Sequence, residues 1–510
     1  MDDITRRAAL GMTGRAVLGA SAGGALLARP GQQATGPRLS RPRPARRAPD
    51  WAALARQLRG PLLRPGDRGY AGASLPYNKR YASIRPEGVA LCADTADVQA
   101  ALRWARRSGV PFAARSGGHS YGGYSTSHGL VISLARMNQV QVDTRSMIIR
   151  TGAGARNHDL YAALAGTSVA VPSGRCPTVA VSGLLLGGGF GFSSRHLGLT
   201  CDHLLHTEVV TASGEVLQVS AQSHPDLFWA CRGGGGGNFG INTRYALRAE
   251  QVGSVSVYKL EWAWKDARAA LSSMLGLMSQ APDTLSCRLG LDVRGGGRVT
   301  GGAPERGVSA LGLYFGPGRE LAGLLEPVLA AAWPARQQIE DRSYTRAQAF
   351  LAHSAPTGKF ASKSRYLAQA LPDAGLDTAL GWIERWPGSA NPGGGGLTMF
   401  AWGGAISRVG PAATAFVHRD AAFLTDQEFT WTARDDDRVV SAGLEWLAEG
   451  YHQLAPFGTR QAYQNFIDPS LPDWRTAYYG ANLPRLTRVK HRYDPDDVFR
   501  FPQSVPEPPR

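Results

Sequence analysis

The sequence predicts an α+β protein, and two patterns carry that prediction. Between residues 89 and 212 short helical runs are interleaved with short β-branched or alternating runs, a mixture that fits α+β architecture and not a doubly wound sheet. Beyond about residue 252 the alternating stretches lengthen, as expected for strands that face a core on one side. With 510 residues, 43% hydrophobic and 19% charged, the chain has globular composition and can bury two or more cores.

In chain order, residues 89–92 read as a strand, 95–108 as a helix with Val98, Leu102 and Ala105 on one face, and 111–114 as a second strand. Thr95 is the expected N-cap and Gly109 the expected helix stop. Further strands are expected at 129–134, 147–151 and 208–212, with a short helix at 159–165. Long strands follow at 255–264, 285–293 and 310–315, with covering helices at 266–279 and 321–333. Neither an internal repeat nor a heptad pattern is visible.

The net charge of +16 would suit a nucleic-acid binder, but its distribution excludes one. Residues 1–50 hold nine Arg against three Asp, and the remaining excess is spread thinly, with no basic stripe interleaved with aromatics. Arg6 and Arg7 form a twin-arginine pair ahead of a mildly apolar stretch, 16–28, too short and glycine-rich to anchor in a bilayer. This predicts secretion by the twin-arginine route and no membrane attachment of the mature form; residues 1–49 are read as signal plus a Pro/Arg-rich linker. The five cysteines, Cys92, Cys176, Cys201, Cys231 and Cys287, include no C-x-x-C pair and no zinc spacing, so no metal is expected. Cys92, Cys201, Cys231 and Cys287 could form disulfides after export, lone buried thiols being the expected state.

Chemistry concentrates in two short stretches. Residues 115–123, Arg-Ser-Gly-Gly-His-Ser-Tyr-Gly-Gly, form a glycine-dense turn after an apolar strand, a local structure that offers successive backbone N–H groups to a pyrophosphate. Residues 174–179, Gly-Arg-Cys-Pro-Thr-Val, follow some fifty residues later. Together they resemble the motifs of the berberine-bridge-enzyme-like group of FAD-linked oxidases, within the PCMH-type flavoproteins. The resemblance extends through Leu186 to Gly191, Asp226 to Arg232, Asn238-Phe239-Gly240, Phe416-Val417-His418-Arg419, and Tyr478 through Phe499.

That resemblance implies FAD bound bicovalently, through His119 to the 8α-methyl carbon and through Cys176 to the 6-position of the ring. It implies cofactor contacts from Arg115, Ser116, Gly117, Gly118, Ser120 and Tyr121, and from Gly174, Pro177 and Thr178. Gly183, Gly187, Gly188, Gly191, Asn238, Gly240, Ile241, Tyr479 and Asn482 complete the implied set. The implied organisation is an FAD domain of two α+β subdomains over 50–252, a substrate domain with an antiparallel sheet over 253–455, and a C-terminal return over 456–510. Gly174 falls where the family tunes oxygen access, which favours O2 as acceptor. A branched side chain there is expected to slow reoxidation without touching the tethers.

Two departures bear on mechanism. Leu184 stands where a plant archetype has histidine, and Phe466 where many members carry a tyrosine base. The base is then sought on the stretch 423–431, where Asp426 and Glu428 share a face by the two-residue period of a strand. Tyr463 is a second candidate. Trp262, Trp264, Trp402 and Trp431 are candidates for stacking on substrate or for core packing. The leading functional reading is oxidation of a phenolic or related small molecule with O2 reduced to H2O2. The alternatives are a sugar or oligosaccharide oxidase and a non-catalytic flavin-fold binding protein; the oligomeric state stays open.

Overall fold

The computed structural model describes residues 48–353 and 358–507. The twin-arginine pair, the apolar stretch behind it and the linker up to residue 47 lie outside them.

A small sheet opens the fold, its strands ordered Leu62–Leu63, Gly88–Leu91, Leu130–Ser133, Phe112–Arg115. The last three run parallel, with the helix Thr95–Ser108 crossing between Gly88–Leu91 and Phe112–Arg115. That helix buries Val98, Leu102 and Ala105, and Gly109 ends it at φ 63°. Its cap is Asp94 and not Thr95: the Asp94 carboxylate accepts from the Asp97 N–H at 3.1 Å, while the Thr95 hydroxyl donates to Glu208 at 2.6 Å. Tertiary pairing of Thr95 thus moves the cap by one residue.

A five-stranded antiparallel sheet follows, ordered Val140–Asp143, Ile148–Gly152, Ile241–Arg248, Leu204–Val210, Val216–Ser220. The expected strand at 208–212 begins earlier and stops at Val210, because the Thr211 N–H turns back to the Glu215 carbonyl and closes a hairpin. The short helix expected at 159–165 spans Asn157–Leu164.

The third sheet has seven antiparallel strands, ordered Arg336–Arg342, Val255–Ala263, Gly301–Tyr314, Arg288–Gly297, Gly395–Ala401, Phe423–Trp431, Lys359–Leu367. Its odd-numbered Leu289, Leu291, Leu397, Met399 and Phe429 share a core with the helices Ala267–Gln280, Gly318–Ala331, Asp373–Glu384 and Asp437–Gln453. The alternation of a strand sends the intervening even-numbered side chains to the other face. The strand expected at 310–315 starts at Gly301, since pairing with Arg288–Gly297 holds glycines that local propensity reads as loop.

The C-terminal segment does not extend this helix-covered core. Ala462, Tyr478, Leu486 and Phe499 pack in the same cluster as Leu102 and Ile132 of the N-terminal sheet. All five cysteines are free; four are buried and Cys176 is partly exposed. Among the described residues no helix is long and apolar enough to cross a membrane.

Candidate functional site

A cavity of about 1020 Å³ lies beneath the face of the seven-stranded sheet that carries Arg288, Asp292, Thr398, Asp426 and Glu428, floored by the loops of the two smaller sheets. The loop after the strand Phe112–Arg115 forms part of the floor. Among the described residues none of the backbone N–H groups from Ser116 to Gly122 has a hydrogen-bond partner, and Gly118 takes φ 75°, open to glycine at no steric cost. Such a row of unspent amides binds oxyanions, so the donor set fits the pyrophosphate of FAD. Arg115 holds the loop: its guanidinium donates to the carbonyls of Ser125, Ala73 and Ser74, leaving it as scaffold and not as a cofactor ligand. The Ser116 hydroxyl is likewise spent on the Ala153 carbonyl.

His119 and Cys176 are brought together from separate loops. His119 Nε2 and Thr178 Oγ1 lie 3.0 Å apart, and Cys176 Sγ lies 3.5 Å from the same hydroxyl. Tyr77, which no sequence motif marks, stacks on the imidazole at 3.8 Å between centroids. Burial and then Arg156 push the His119 pKa down to about 4, so the ring is neutral and nucleophilic at ordinary pH. The thiols of Cys231 and Cys287, by contrast, are pushed up to about 11 by burial. Asn157 donates to the Cys176 carbonyl at 2.9 Å and fixes its loop.

Gly174 lines the cavity beside Leu184 and Asn157. A Cβ there would lie 2.6 Å from Leu184 Cδ1 and 3.0 Å from Asn157 Nδ2. Because Asn157 holds the Cys176 loop, enlarging Gly174 would press on that tether, contrary to the expectation that the tethers would be left untouched.

The roof carries the ionisable groups. Asp426 and Glu428, on the strand Phe423–Trp431, both line the cavity. Asp426 lies opposite Ser364 and Thr398 in register, and Glu428 opposite Ser362 and Gly396, small neighbours that leave the two carboxyls room on the cavity face. Asp426 accepts a hydrogen bond from the Ser362 hydroxyl, whereas the Glu428 carboxyl has no hydrogen-bond or ion-pair partner among the described residues. Burial raises both above the ordinary carboxylate range, and Glu428 rises further because Asp426 stands beside it.

Tyr463 does not fit the part of base. Its oxygen accepts from the Gly189 N–H at 3.2 Å and from Asn465 at 3.0 Å, and burial raises its pKa. Phe466 stacks on Tyr121 at 5.2 Å and contributes only an apolar wall.

Ser120, Tyr121, Gly183, Gly191, Asn238, Gly240, Ile241 and Tyr479 also line the cavity, as expected of a cofactor wall. Asn238 does so through its backbone, its amide being bonded to the carbonyls of Gly234 and Gly235. Four other expectations are corrected. A Cβ at Gly187 would strike the Asn465 amide at 2.2 Å and one at Gly188 the Phe416 ring at 2.6 Å, so these glycines serve close packing and do not line the cavity. The Asn482 amide donates to the Pro411, Thr414 and Ala415 carbonyls, away from the cavity. Pro177 lies behind the lining, its carbonyl accepting from the His158 N–H. Trp262, Trp402 and Trp431 are buried in cores, and none of the four tryptophans lines the cavity.

Sequence reasoning missed Arg175, Arg288 and Asp292 as cavity residues. Arg175 was visible inside the cysteine motif, and Arg288 and Asp292 share strand parity, but only the roof above the floor brings them together.

Comparison with known proteins agrees with this geometry. A family model described as an FAD binding domain matches residues 86–220, and one described as berberine and berberine like matches 462–506. An uncharacterized FAD-linked oxidoreductase of Bacillus subtilis, YgaK, is 32% identical over 462 residues, covering 88% of this chain and 97% of its own. The wild-type BBE-like 1 of Physcomitrella patens superposes with TM-score 0.79 at 29% identity, covering 90% of this chain and 99% of that one. The xylooligosaccharide oxidase of Myceliophthora thermophila C1, solved with xylobiose, superposes with TM-score 0.75 at 26% identity, with the same coverages. On these matches, and on a nest, a paired histidine and cysteine and a carboxylate roof around one cavity, the chain belongs to the berberine-bridge-enzyme-like family of FAD-linked oxidases.

Proposed function

We propose that this protein oxidises a phenolic or related small molecule with a bicovalently held FAD and returns the electrons to O2 as H2O2. The observation that carries the reading is the convergence of His119 and Cys176 on the Thr178 hydroxyl, in the wall of a cavity roofed by two carboxyls of raised pKa. When bound, the flavin supplies a hydride acceptor and a route for electrons to dioxygen. His119 and Cys176 would hold it from two loops, the neutral imidazole and the one exposed thiol being the available nucleophiles.

Glu428 is the proposed base. Its carboxyl has no partner among the described residues, so it can accept the O–H proton as the substrate C–H bond breaks, an assistance commonly worth ~10²–10⁴ in rate. Asp426, anchored by Ser362, acts on Glu428 by raising its proton affinity. Tyr121, Phe190, Phe400 and Phe466 supply an apolar aromatic wall suited to a planar ring. Oxidation of an oligosaccharide is the second reading, favoured by the likeness to a xylooligosaccharide oxidase.

Acid precipitation tests the double tether. The wild-type pellet is expected to stay yellow, and His119→Ala and Cys176→Ala are each expected to keep FAD through the remaining bond. A wild-type pellet that loses all its colour would refute bicovalent attachment. Peroxide release during anaerobic reduction followed by admission of air tests the oxidase assignment.

A further inference from the structure

The charges on the cavity roof are not all answered within the protein. Arg288 is anchored: its Nη atoms donate to Ser309 at 2.9 Å, to Thr398 at 2.8 Å and to Asp292 at 3.3 Å. The second Asp292 oxygen accepts from Ser309 at 2.9 Å, so Asp292 is answered by Arg288 and Ser309, and of the Arg288 nitrogens only Nε is left without a partner among the described residues. Asp426 has Ser362.

Arg175 has nothing comparable. It lines the same cavity and is only half-exposed, yet its guanidinium makes no hydrogen bond, ion pair or ring contact among the described residues. Only its backbone is used, the carbonyl accepting from the His353 N–H at 3.2 Å. A guanidinium offers five donors in a fixed fork and cannot shed its charge in the physiological range. Burial and the neighbouring Arg288 push its pKa down to about 10, outweighing the opposite pull of Tyr121, Asp292 and Cys176. The charged and titratable groups within electrostatic reach of Arg175 are Arg288, Asp292, Asp426 and Glu428 on the roof, Tyr121 and Cys176 on the floor, and His353.

Resting on the oxidase reading, we propose that Arg175 is a substrate-recognition residue that pairs with a carboxylate, so that the substrate of this enzyme is an organic acid, either a phenolic acid or a uronic-acid sugar. The fork of Arg175 matches a carboxylate bidentately, and a charge-assisted pair in a cavity wall is stronger than a neutral hydrogen bond. The arrangement also couples binding to chemistry. Arg175 holds down the proton affinities of Asp426 and Glu428, so its neutralisation by a bound carboxylate makes Glu428 a stronger base.

The test uses the FAD-loaded enzyme and two acid and ester pairs: 4-hydroxycinnamate with its methyl ester, and digalacturonate with its methyl ester. Binding is read from the flavin absorption spectrum and reduction from anaerobic bleaching. One acid at least is expected to bind about 10- to 100-fold more tightly than its ester. That preference should collapse toward unity in Arg175→Gln and return in part in Arg175→Lys, both variants retaining wild-type FAD content. Whichever acid bleaches the flavin separates the phenolic source from the sugar source. An acid-to-ester ratio near unity in the wild type, an undiminished ratio in Arg175→Gln, or no binding of either acid overturns the proposal. The oxidase reading is judged apart from these outcomes, by whether dithionite-reduced wild type reoxidises in air with peroxide release.

Discussion

At the scale of single residues, Glu428 makes the sharpest claim. Its carboxyl must be ionised to accept a proton, and burial together with Asp426 raises its pKa to about 8. Anaerobic flavin reduction is therefore expected to rise with pH and level off above about 8. Glu428→Gln should lower its rate by ~10²–10⁴ with FAD content intact. In Asp426→Asn the repelling neighbour is gone, so the whole profile should move to lower pH; an unmoved profile would show that the two carboxyls do not interact. Stability follows with a definite sign. Between the ordinary carboxylate range and about pH 8 the folded protein keeps a proton that the unfolded chain has lost, so this carboxyl lowers stability progressively as pH rises. Below that range both states are protonated and the cost vanishes. The melting temperature of Glu428→Gln should accordingly fall less than that of wild type between pH 5 and 8, as differential scanning calorimetry would record.

At the scale of elements, the C-terminal helix Leu483–Tyr493 holds the cavity floor in place. Lys490, fully buried, donates to Asp494 at 2.6 Å, to the Phe499 carbonyl at 2.5 Å and to the Asn238 carbonyl at 3.1 Å. Asn238 in turn binds the glycine loop at Gly234 and Gly235, so one ammonium ties this helix to the wall of the site. Lys490→Met would strand the Asp494 carboxylate in the interior, a loss of about 3–5 kcal/mol that urea denaturation would measure. The Phe416 to Arg419 stretch is likewise structural. Arg419 clasps Asp202 through two bonds of 2.8 Å, the Phe416 ring fills the space left by Gly188, and the Phe416 backbone and Cβ close against Gly233. Both features bear on activity only by fixing the floor.

For the whole molecule, we propose export of the folded, FAD-loaded protein by the twin-arginine route, on the strength of Arg6 and Arg7 ahead of a small-residue apolar stretch. Changing both arginines to lysine should retain the protein inside the cell with its FAD bound, as cell fractionation followed by flavin fluorescence would show. Equal secretion of the double variant would remove the pair from any export role.

Local chemistry was enough for part of this protein. Residues 95–108 carry helical spacing and a left-handed glycine stop, 423–431 carry strand alternation, and the glycine-dense turn at 115–123 carries its unspent amides, because each depends on neighbours within a few positions. The pairing of Asp426 with Glu428 was legible for the same reason, since a two-residue period fixes their common face. Other features belonged to the tertiary structure alone. Sequence could not reveal that the Thr178 hydroxyl lies between His119 and Cys176, or that Tyr77 stacks on the imidazole. Nor could it separate glycines that face a cofactor from Gly187 and Gly188, which make room for Asn465 and Phe416. The Arg175 guanidinium is left without a partner among the described residues, and Arg288 is held by Ser309, Thr398 and Asp292, only because a roof built from residues 255–431 closes over a floor built from 112–241. Contacts between chain segments hundreds of residues apart leave no trace in local periodicity; they arise when apolar faces are buried against one another and set the polar remainder around a common space.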